Sequence, residues 1–229
     1  MNAVVIGSSH GLGFALVKKL LAEGHKVVAG TLEKEIPDSL IPLTEQYGDN
    51  LAVKPADVTN EDEMISFAQF VSEFTGKADA VCTVAGIMTP GDRINKIQDC
   101  IIPDIRRTID VNTVGPIIAG KYLYPVTAKG GKILTITSEG VGVRHAWSGS
   151  PGYALSKTAA TKISGIFNSS VDDVDFYSVH PGRPMTNMNK NGEITAEESA
   201  EGIYNIMTGI TPVSRDVWYI DYKGSPMDM

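Results

Sequence analysis

The stretch Ile6-Gly7-Ser8-Ser9-His10-Gly11-Leu12-Gly13 decides the fold, because it joins a short apolar run at residues 3–6 to a helical pattern. Glycines at this spacing allow a tight turn, a close approach of the backbone to a pyrophosphate, and close packing of the helix on the strand. The first N–H groups of the helix then point at the anion. A glycine turn also serves as a plain connector, but its place at the first strand–helix junction favours a dinucleotide site formed by Gly7, Ser8, Ser9, His10, Gly11, Leu12 and Gly13.

Short apolar runs alternate with amphipathic segments along the rest of the chain. The runs predict strands at residues 3–6, 26–29, 51–54, 80–84, 132–137, 176–179 and 217–220. Several are β-branched and apolar at consecutive positions, as in parallel strands covered by helices on both faces. We therefore predict an α/β protein: a single-domain Rossmann fold over residues 1–229, with a doubly wound parallel sheet of about seven strands flanked by helices.

Helical patterns separate the strands. They predict helices at residues 12–23, 61–75, 104–126, 151–167 and 196–207. Asn60 precedes an acidic first turn, which suits the positive end of a helix dipole. Thr195 and Glu198 form a capping box that opens the last helix. We find no repeat, low-complexity tract or linker that would divide the chain.

The composition is that of a globular protein with an acidic balance. Lys and Arg number 20 and Asp and Glu number 27, giving a formal net charge of −7 and a pI of 5.1. This excludes a general electrostatic attraction for nucleic acid or anionic lipid. Cys82 and Cys100 lack the paired spacing of a zinc site, so we predict no metal, and buried thiols indicate a reducing compartment. No apolar run approaches the ~20 residues that cross a bilayer; we expect a cytoplasmic protein without a membrane partner.

The residue that ends the second predicted strand bears on the choice of cofactor. An acidic residue there takes the ribose hydroxyls of an unmodified dinucleotide, but this position holds Thr31. A hydroxyl can donate to a 2′-phosphate, and His10 and Lys34 add positive character, which favours NADP(H) over NAD(H). In the alternative, Thr31 only starts a loop and Glu33 takes the ribose.

A phenol and an ammonium share one face of the helix predicted at 151–167. Tyr153 and Lys157 are spaced i and i+4. A free tyrosine has a pKa of ~10, and a neighbouring cation brings the phenol towards the working pH. Ser138 ends the fifth predicted strand at the carboxyl edge, where open α/β sheets bind ligands. Tyr and Lys often occur at this spacing by chance. The spacing alone is therefore also compatible with a solvent-exposed pair that has no catalytic role.

Together these motifs resemble the short-chain dehydrogenase/reductase family, from Val4 to about Tyr222. The resemblance rests on the Gly-x-x-x-Gly-x-Gly turn, on Tyr-x-x-x-Lys, and on Ser138 fifteen residues before Tyr153. One departure is Thr83-Val84-Ala85-Gly86, where the family commonly has Asn-Asn-Ala-Gly; the side-chain bracing of the central strands is therefore in doubt. The C-terminal stretches 186–188, 194–199 and 219–224 loosely resemble the C-factor and sniffer carbonyl reductase subgroup.

The resemblance implies further site residues. It implies that Asn112 holds a water behind Lys157, and that Asp57 and Val58 meet the adenine. It also implies contacts of the cofactor with Ala85, Gly86, Tyr153, Lys157, Pro181, Gly182 and Thr186. The catalytic set is then Asn112, Ser138, Tyr153 and Lys157.

The implied activity is that of an NAD(P)(H)-dependent carbonyl reductase or alcohol dehydrogenase acting on a small-molecule carbonyl or alcohol. The alternative is a non-catalytic dinucleotide-binding redox sensor or signalling module. Residues 140–148, with His145 and Trp147, and a substrate loop around 183–195 are expected to line the pocket, and we give His145 no role. Met185 and Met188 indicate either an apolar substrate or packing. The resemblance also implies a homodimer or homotetramer.

Overall fold

Seven parallel strands form one sheet in the order β3-β2-β1-β4-β5-β6-β7. The structure is a computed structural model, and it describes residues 1–93, 96–139 and 149–228. The strands are β1 (Asn2–Ile6), β2 (Lys26–Thr31), β3 (Leu51–Pro55), β4 (Ala78–Thr83), β5 (Thr127–Ile136), β6 (Asp175–His180) and β7 (Tyr219–Asp221). All seven predicted strands are confirmed. The largest difference is at β5, which begins at Thr127 rather than at residue 132.

Helices cover both faces of the sheet, as predicted. The α-helices of the described residues are α1 (Gly11–Ala22), α2 (Ile41–Tyr47), α3 (Glu61–Thr75), α4 (Ile102–Ile109), α5 (Gly115–Leu123), α6 (Pro151–Asn168) and α7 (Ala196–Thr208). Helices α1 and α7 pack on one face, around Leu16, Leu20 and Ile203. Helices α3, α5 and α6 pack on the other, around Phe67 and Leu123. The Rossmann architecture that the sequence predicts is confirmed, and no helix in this part of the chain is long and apolar enough to cross a membrane.

The long helix predicted at 104–126 is interrupted. Between α4 and α5 the backbone forms a π-helical turn at Asp110–Val114, and a short 3-10 turn, Tyr124–Val126, follows α5. Single π turns inside α-helices occur frequently at functional sites. This turn contains Asn112, whose side chain is fully buried.

The strand order places a crevice at the centre of the sheet. Strand β1 pairs with β2 on one side and with β4 on the other, so the connections after β1 and β4 leave in opposite directions. In open α/β sheets, ligands bind at such a switch point, outside the carboxyl ends of the strands. The glycine turn after β1 lies at this point.

Candidate active site

A cavity of about 990 Å³ extends along the carboxyl ends of the central strands. It brings together most of the residues that the sequence singles out. These are Gly7, Ser9, His10, Gly11, Leu12, Asp57, Val58, Ala85, Gly86, Ser138, Tyr153, Lys157, Pro181, Gly182 and Thr186. Four other predicted residues, Ser8, Gly13, Thr31 and Asn112, are not part of its lining. The predicted pocket wall at 140–148, with His145 and Trp147, lies outside the described residues.

The glycine turn is too crowded for side chains and exposes free amides. Gly7 has φ +86°, and a Cβ there would lie 2.6 Å from the Ala85 nitrogen. A Cβ on Gly13 would lie 2.0 Å from the Gly7 carbonyl oxygen. The amides of Gly11, Leu12 and Gly13 have no acceptor within the described chain. Unpaired N–H groups at a helix N-terminus attract an anion, so the turn fits a dinucleotide pyrophosphate.

Ser8 supports this turn from behind. Its side chain is fully buried, and its hydroxyl is directed at the Gly30 carbonyl, 2.7 Å away, and at the Val5 carbonyl, 3.1 Å away. These contacts tie the turn to β1 and β2. Ser8 therefore shapes the turn and does not face the cavity.

The structure corrects the expectation for Thr31. Its side chain is 1% exposed, and its hydroxyl donates to the Glu33 carbonyl oxygen at 3.1 Å. Leu32, which is 65% exposed, lines the cavity instead. Successive side chains of a strand point to opposite faces, so a difference of one position decides which residue faces the cofactor. Glu33 is not part of the lining either.

Asp57 presents a fixed carboxylate to the cavity. Its Oδ1 accepts hydrogen bonds from the Thr59 amide at 2.9 Å and from the Thr59 hydroxyl at 2.7 Å. The second carboxylate oxygen, Oδ2, has no partner within the described chain. Val58 lies beside it, against Gly115. Oδ2 is therefore available to accept a hydrogen bond from a ligand in the cavity.

Ser138 and Tyr153 meet across the cavity although they come from different elements. Ser138 follows β5, and Tyr153 lies in the first turn of α6. Burial raises the pKa of the Tyr153 phenol, and a side-chain hydrogen bond with Ser138 opposes this effect. The protein residues by themselves thus raise this pKa, which is opposite in direction to the expectation from the Tyr-x-x-x-Lys spacing.

Lys157 carries a buried ammonium into the same cavity. The residue is 4% exposed, and Nζ donates to the Ile136 carbonyl oxygen at 2.8 Å. Burial lowers the pKa of Lys157 to about 8. Nζ lies 5.9 Å from the centroid of the Tyr153 ring. No carboxylate of the described residues pairs with it, and a buried cation of this kind is typical of a functional site.

Asn112 ties the loop after β4 to the helices. Its Oδ1 accepts from the Ile87 amide at 2.8 Å, and its Nδ2 donates to the Ile87 carbonyl at 2.8 Å and to the Ser156 hydroxyl at 3.0 Å. Both amide protons are therefore used within the protein. The side chain braces the loop that carries Ala85 and Gly86, where the family's usual asparagines are missing.

The segment after β6 lies against the glycine turn. Gly182 has φ +75°, and a Cβ there would lie 2.6 Å from Ile194 Cδ1. The Thr186 methyl carbon lies 3.6 Å from the position of a Cβ on Gly11. Met188 lines the cavity, whereas Met185, 58% exposed, is not part of the lining.

Two residues that the sequence did not single out belong to the site. Asp92 accepts hydrogen bonds from the backbone amides of Gly152 and Tyr153 at 2.6 and 2.7 Å. Arg93 lines the cavity and donates to the Met188 carbonyl at 2.9 Å, which joins the segments after β4 and β6. Nothing in the local sequence distinguishes either residue from an ordinary loop residue.

Known proteins with similar sequences and structures are oxidoreductases. The family model described as short chain dehydrogenase matches residues 1–197. The chain is 29% identical over 219 residues to 1-hydroxy-2-glutathionyl-2-methyl-3-butene dehydrogenase of Rhodococcus sp. strain AD45, covering 92% of each chain.

Two solved structures share the fold. Carbonyl reductase Sniffer of D. melanogaster superposes with a TM-score of 0.89 at 19% identity, covering 100% of this chain and 99% of that chain. A carbonyl reductase from Pseudomonas aeruginosa PAO1 in complex with NADP gives 0.82 at 22% identity, with the same coverage. Since the family match covers most of the chain and the predicted motifs meet in one cavity, this chain belongs to the short-chain dehydrogenase/reductase family and is an oxidoreductase.

Proposed function

We propose that this enzyme is an NADP(H)-dependent carbonyl reductase or alcohol dehydrogenase. The observation that carries the proposal is the meeting of Ser138, Tyr153 and the buried Lys157 ammonium in one cavity with the glycine turn. A cofactor-binding module without catalysis has no need of a proton donor in this place. The name of the Rhodococcus relative, a dehydrogenase of a hydroxy compound, supports the same chemistry.

The residues divide the work as follows. A nicotinamide cofactor held in this cavity would supply or accept the hydride. The Ser138 and Tyr153 hydroxyls hold the substrate oxygen, and Tyr153 Oη delivers the proton to it in reduction or removes the proton in oxidation. Lys157 Nζ holds the nicotinamide ribose and stabilises the phenolate. Asn112 positions the loop beside Lys157 rather than touching the substrate.

The cofactor is proposed to bind along the full length of the cavity. The free amides of α1 receive the pyrophosphate, and Asp57 with Val58 receives the adenine. Ala85 and Gly86 approach the adenosine ribose, while Pro181, Gly182 and Thr186 contact the nicotinamide amide. A Cβ on Gly86 would lie 3.1 Å from Lys157 Nζ. Only a glycine at this position therefore leaves the space beside the Lys157 ammonium free for the cofactor.

We expect Gly13→Ala to weaken NADPH binding by at least about tenfold, because the new methyl group overpacks the turn against the Gly7 carbonyl and costs about 1–3 kcal/mol. Tryptophan or cofactor fluorescence titration measures the affinity. Gly24→Ala is the matched control: Gly24 has φ +77°, and a Cβ added there would have no atom within 4 Å. The control variant loses stability through backbone strain but keeps its NADPH affinity. Equal affinities in both variants would contradict the assignment of the turn.

The preference for NADP(H) is proposed on three grounds. The cavity-lining position next to the end of β2 is Leu32, which carries no negative charge to repel a 2′-phosphate. His10 also lines the cavity near the glycine turn. Structural neighbours from P. aeruginosa and Burkholderia multivorans contain NADP.

Leu32→Asp tests this preference. We expect the Kd for NADPH to rise about tenfold more than the Kd for NADH, since a carboxylate then faces the 2′-phosphate. Ile41→Asp is the control, because Ile41 is exposed, starts α2 and does not line the cavity. An unchanged ratio of the two Kd values in Leu32→Asp would show that the 2′-phosphate does not lie at this edge.

The activity itself is tested by a spectrophotometric screen of carbonyls with NADPH and with NADH. Consumption of NADPH with a carbonyl supports the proposal. Cofactor binding without turnover of any carbonyl or alcohol would favour the alternative, a dinucleotide-binding redox sensor or signalling module. No observation on the described residues supports that alternative.

We also propose that the protein is cytoplasmic and forms a single domain in which residues 183–195 are the substrate loop. We further propose that it assembles as a homodimer or homotetramer. Helices α4, α5 and α6 and the π-helical turn before α5 expose five large apolar side chains, Ile102, Val114, Ile117, Leu155 and Ile166. Exposed apolar patches mark association surfaces. Sedimentation velocity of the wild type and of Leu155→Glu distinguishes a dimer through this face from a monomer.

A further inference from the structure

The first turn of α6, which carries Tyr153, does not cap itself. Ser150, the residue before the helix, has φ +53°, and its hydroxyl lies 3.4 Å from Met88 Sδ, so it makes no cap. Pro151 has no N–H group. The amides of Gly152 and Tyr153 therefore need an acceptor from elsewhere in the chain.

Asp92 supplies that acceptor from the loop between β4 and α4. Its Oδ1 accepts from the Gly152 amide at 2.6 Å and its Oδ2 from the Tyr153 amide at 2.7 Å. The side chain is 1% exposed, and no Lys, Arg or His of the described residues forms an ion pair with it. Its charge is compensated by the positive end of the helix.

The clamp formed by Asp92 on these two amides is itself held in place. Asp92 ends a 3-10 turn, Pro90–Asp92, and the neighbouring Gly91 amide donates to Asp104 of α4 at 3.0 Å. A Cβ on Gly152 would lie 3.0 Å from Asp92 Oδ1. A glycine at this position therefore allows the start of α6 to approach the Asp92 carboxylate closely. The clamp thus fixes the start of α6 against α4 and the loop after β4.

We propose that Asp92 is a positioning residue for Tyr153. Tyr153 is the third residue of α6, and its partner Ser138 belongs to a different element, β5 and its exit. A shift of the first helical turn therefore changes the distance between the two hydroxyls that hold the substrate oxygen. Misplacement of a reacting group by about 1 Å costs about 10²-fold in rate. The inference rests on the proposed function.

The test uses a graded pair of variants and a control at the opposite end of the same helix. Asp92→Asn keeps one acceptor oxygen but turns an NH₂ group towards an amide, and Asp92→Ala removes both acceptors. Asn168→Ala is the control, since the Asn168 side chain makes two hydrogen bonds with the Phe176 backbone, both at 2.9 Å, at the C-terminal end of α6.

The readouts are kcat for carbonyl reduction at saturating NADPH, the Kd for NADPH, and hydrogen exchange of the peptide that covers the first turn of α6. We expect kcat to fall about tenfold in Asp92→Asn and about 100-fold in Asp92→Ala. The Kd stays within about threefold in both, and exchange in the first turn accelerates. In Asn168→Ala, kcat stays within about twofold although the melting temperature falls, because the hydrogen bonds that it loses lie far from Tyr153.

The outcomes separate this inference from the function on which it rests. If the wild type is active, an unchanged kcat in Asp92→Ala would overturn only the positioning role of Asp92. A loss of kcat in Asn168→Ala as large as that in Asp92→Ala would overturn it as well. A loss of NADPH affinity in step with kcat would also overturn it, because the defect would then be general. A wild type that turned over no carbonyl or alcohol would overturn the proposed function first. If Asp92→Ala does not fold, Asp92→Asn alone decides.

Discussion

Replacing Tyr153 by Phe is expected to lower kcat by about 10²–10⁴-fold, the usual contribution of general acid catalysis, while the Kd for NADPH stays within about threefold. The ring remains, so its packing in the first turn of α6 is kept, and only the hydroxyl next to Ser138 is lost. Steady-state rates with a carbonyl substrate and a fluorescence titration of the cofactor measure the two effects.

Tyr124→Phe is the matched control. The Tyr124 hydroxyl donates to the Asp173 carboxylate at 2.9 Å, and Tyr124 is not part of the cavity lining. The control loses a comparable hydrogen bond and keeps its kcat. Near-normal activity in Tyr153→Phe would end the assignment of Tyr153 as the proton donor.

The fold was predictable because its signals are local. Each strand is a short apolar run, and the glycine turn marks the first junction in the sequence itself. Helix α2 was missed because it is only seven residues long and none of its residues is fully buried. Its two core-facing side chains, Leu43 and Tyr47, are only partly buried and form too short a pattern to mark a helix. The π turn was missed for a different reason: the hydrogen bonds of Asn112 run to Ile87, 25 residues away, and such partners are not visible in a local pattern.

The site was predictable to the extent that spacing encodes it. Ser138, Tyr153 and Lys157 are close in sequence and lie at fixed positions of one strand end and one helix. Thr31 does end β2, as predicted, but its side chain is buried and the next residue, Leu32, lines the cavity. Neighbouring residues point in opposite directions at a strand end, and the position of the end alone does not say which of the two faces the cavity. Asp92 was missed because its contacts with Gly152 and Tyr153 span 60 and 61 residues. The direction in which the pKa of Tyr153 shifts depends on the burial of its side chain, and burial cannot be read from the Tyr-x-x-x-Lys spacing.

Lys157→Met is expected to make the protein more stable at pH 7. Burial lowers the pKa of Lys157 from its ordinary 10.5 to about 8. Below pH 8 both the folded and the unfolded chain carry the charge, and folding must bury it at a cost of about 3 kcal/mol. Removing the hydrogen bond to the Ile136 carbonyl offsets about 1–2 kcal/mol of this gain.

The stability difference has a definite pH dependence. Between pH 8 and 10.5 the unfolded wild type binds the proton that the folded protein has released, so wild-type stability rises with pH. The advantage of Lys157→Met therefore fades across this window. Urea unfolding at pH 7, 8, 9 and 10 measures it. A wild type as stable as the variant at pH 7 would show that the ammonium is not held at a cost.

The same substitution should impair function in two separable ways. Without the ammonium, the nicotinamide ribose loses a ligand and the Kd for the cofactor rises. The phenolate also loses a stabilising cation, and burial already raises the pKa of Tyr153. In the oxidation direction the deprotonated phenol is the base, so activity appears as pH rises through its pKa. A higher pKa moves the whole pH profile of oxidation to higher pH.

Lys157→Arg distinguishes charge from shape. It keeps the cation, but a planar guanidinium does not fit where a compact ammonium binds. We expect it to restore the pH profile of oxidation in part, while the Kd for the cofactor stays high. If Lys157→Met weakened cofactor binding and left the pH profile unmoved, the electrostatic half of the mechanism would be wrong. The buried charge would then serve only to hold the cofactor, and the phenolate would depend on Ser138 and on the nicotinamide for its stabilisation.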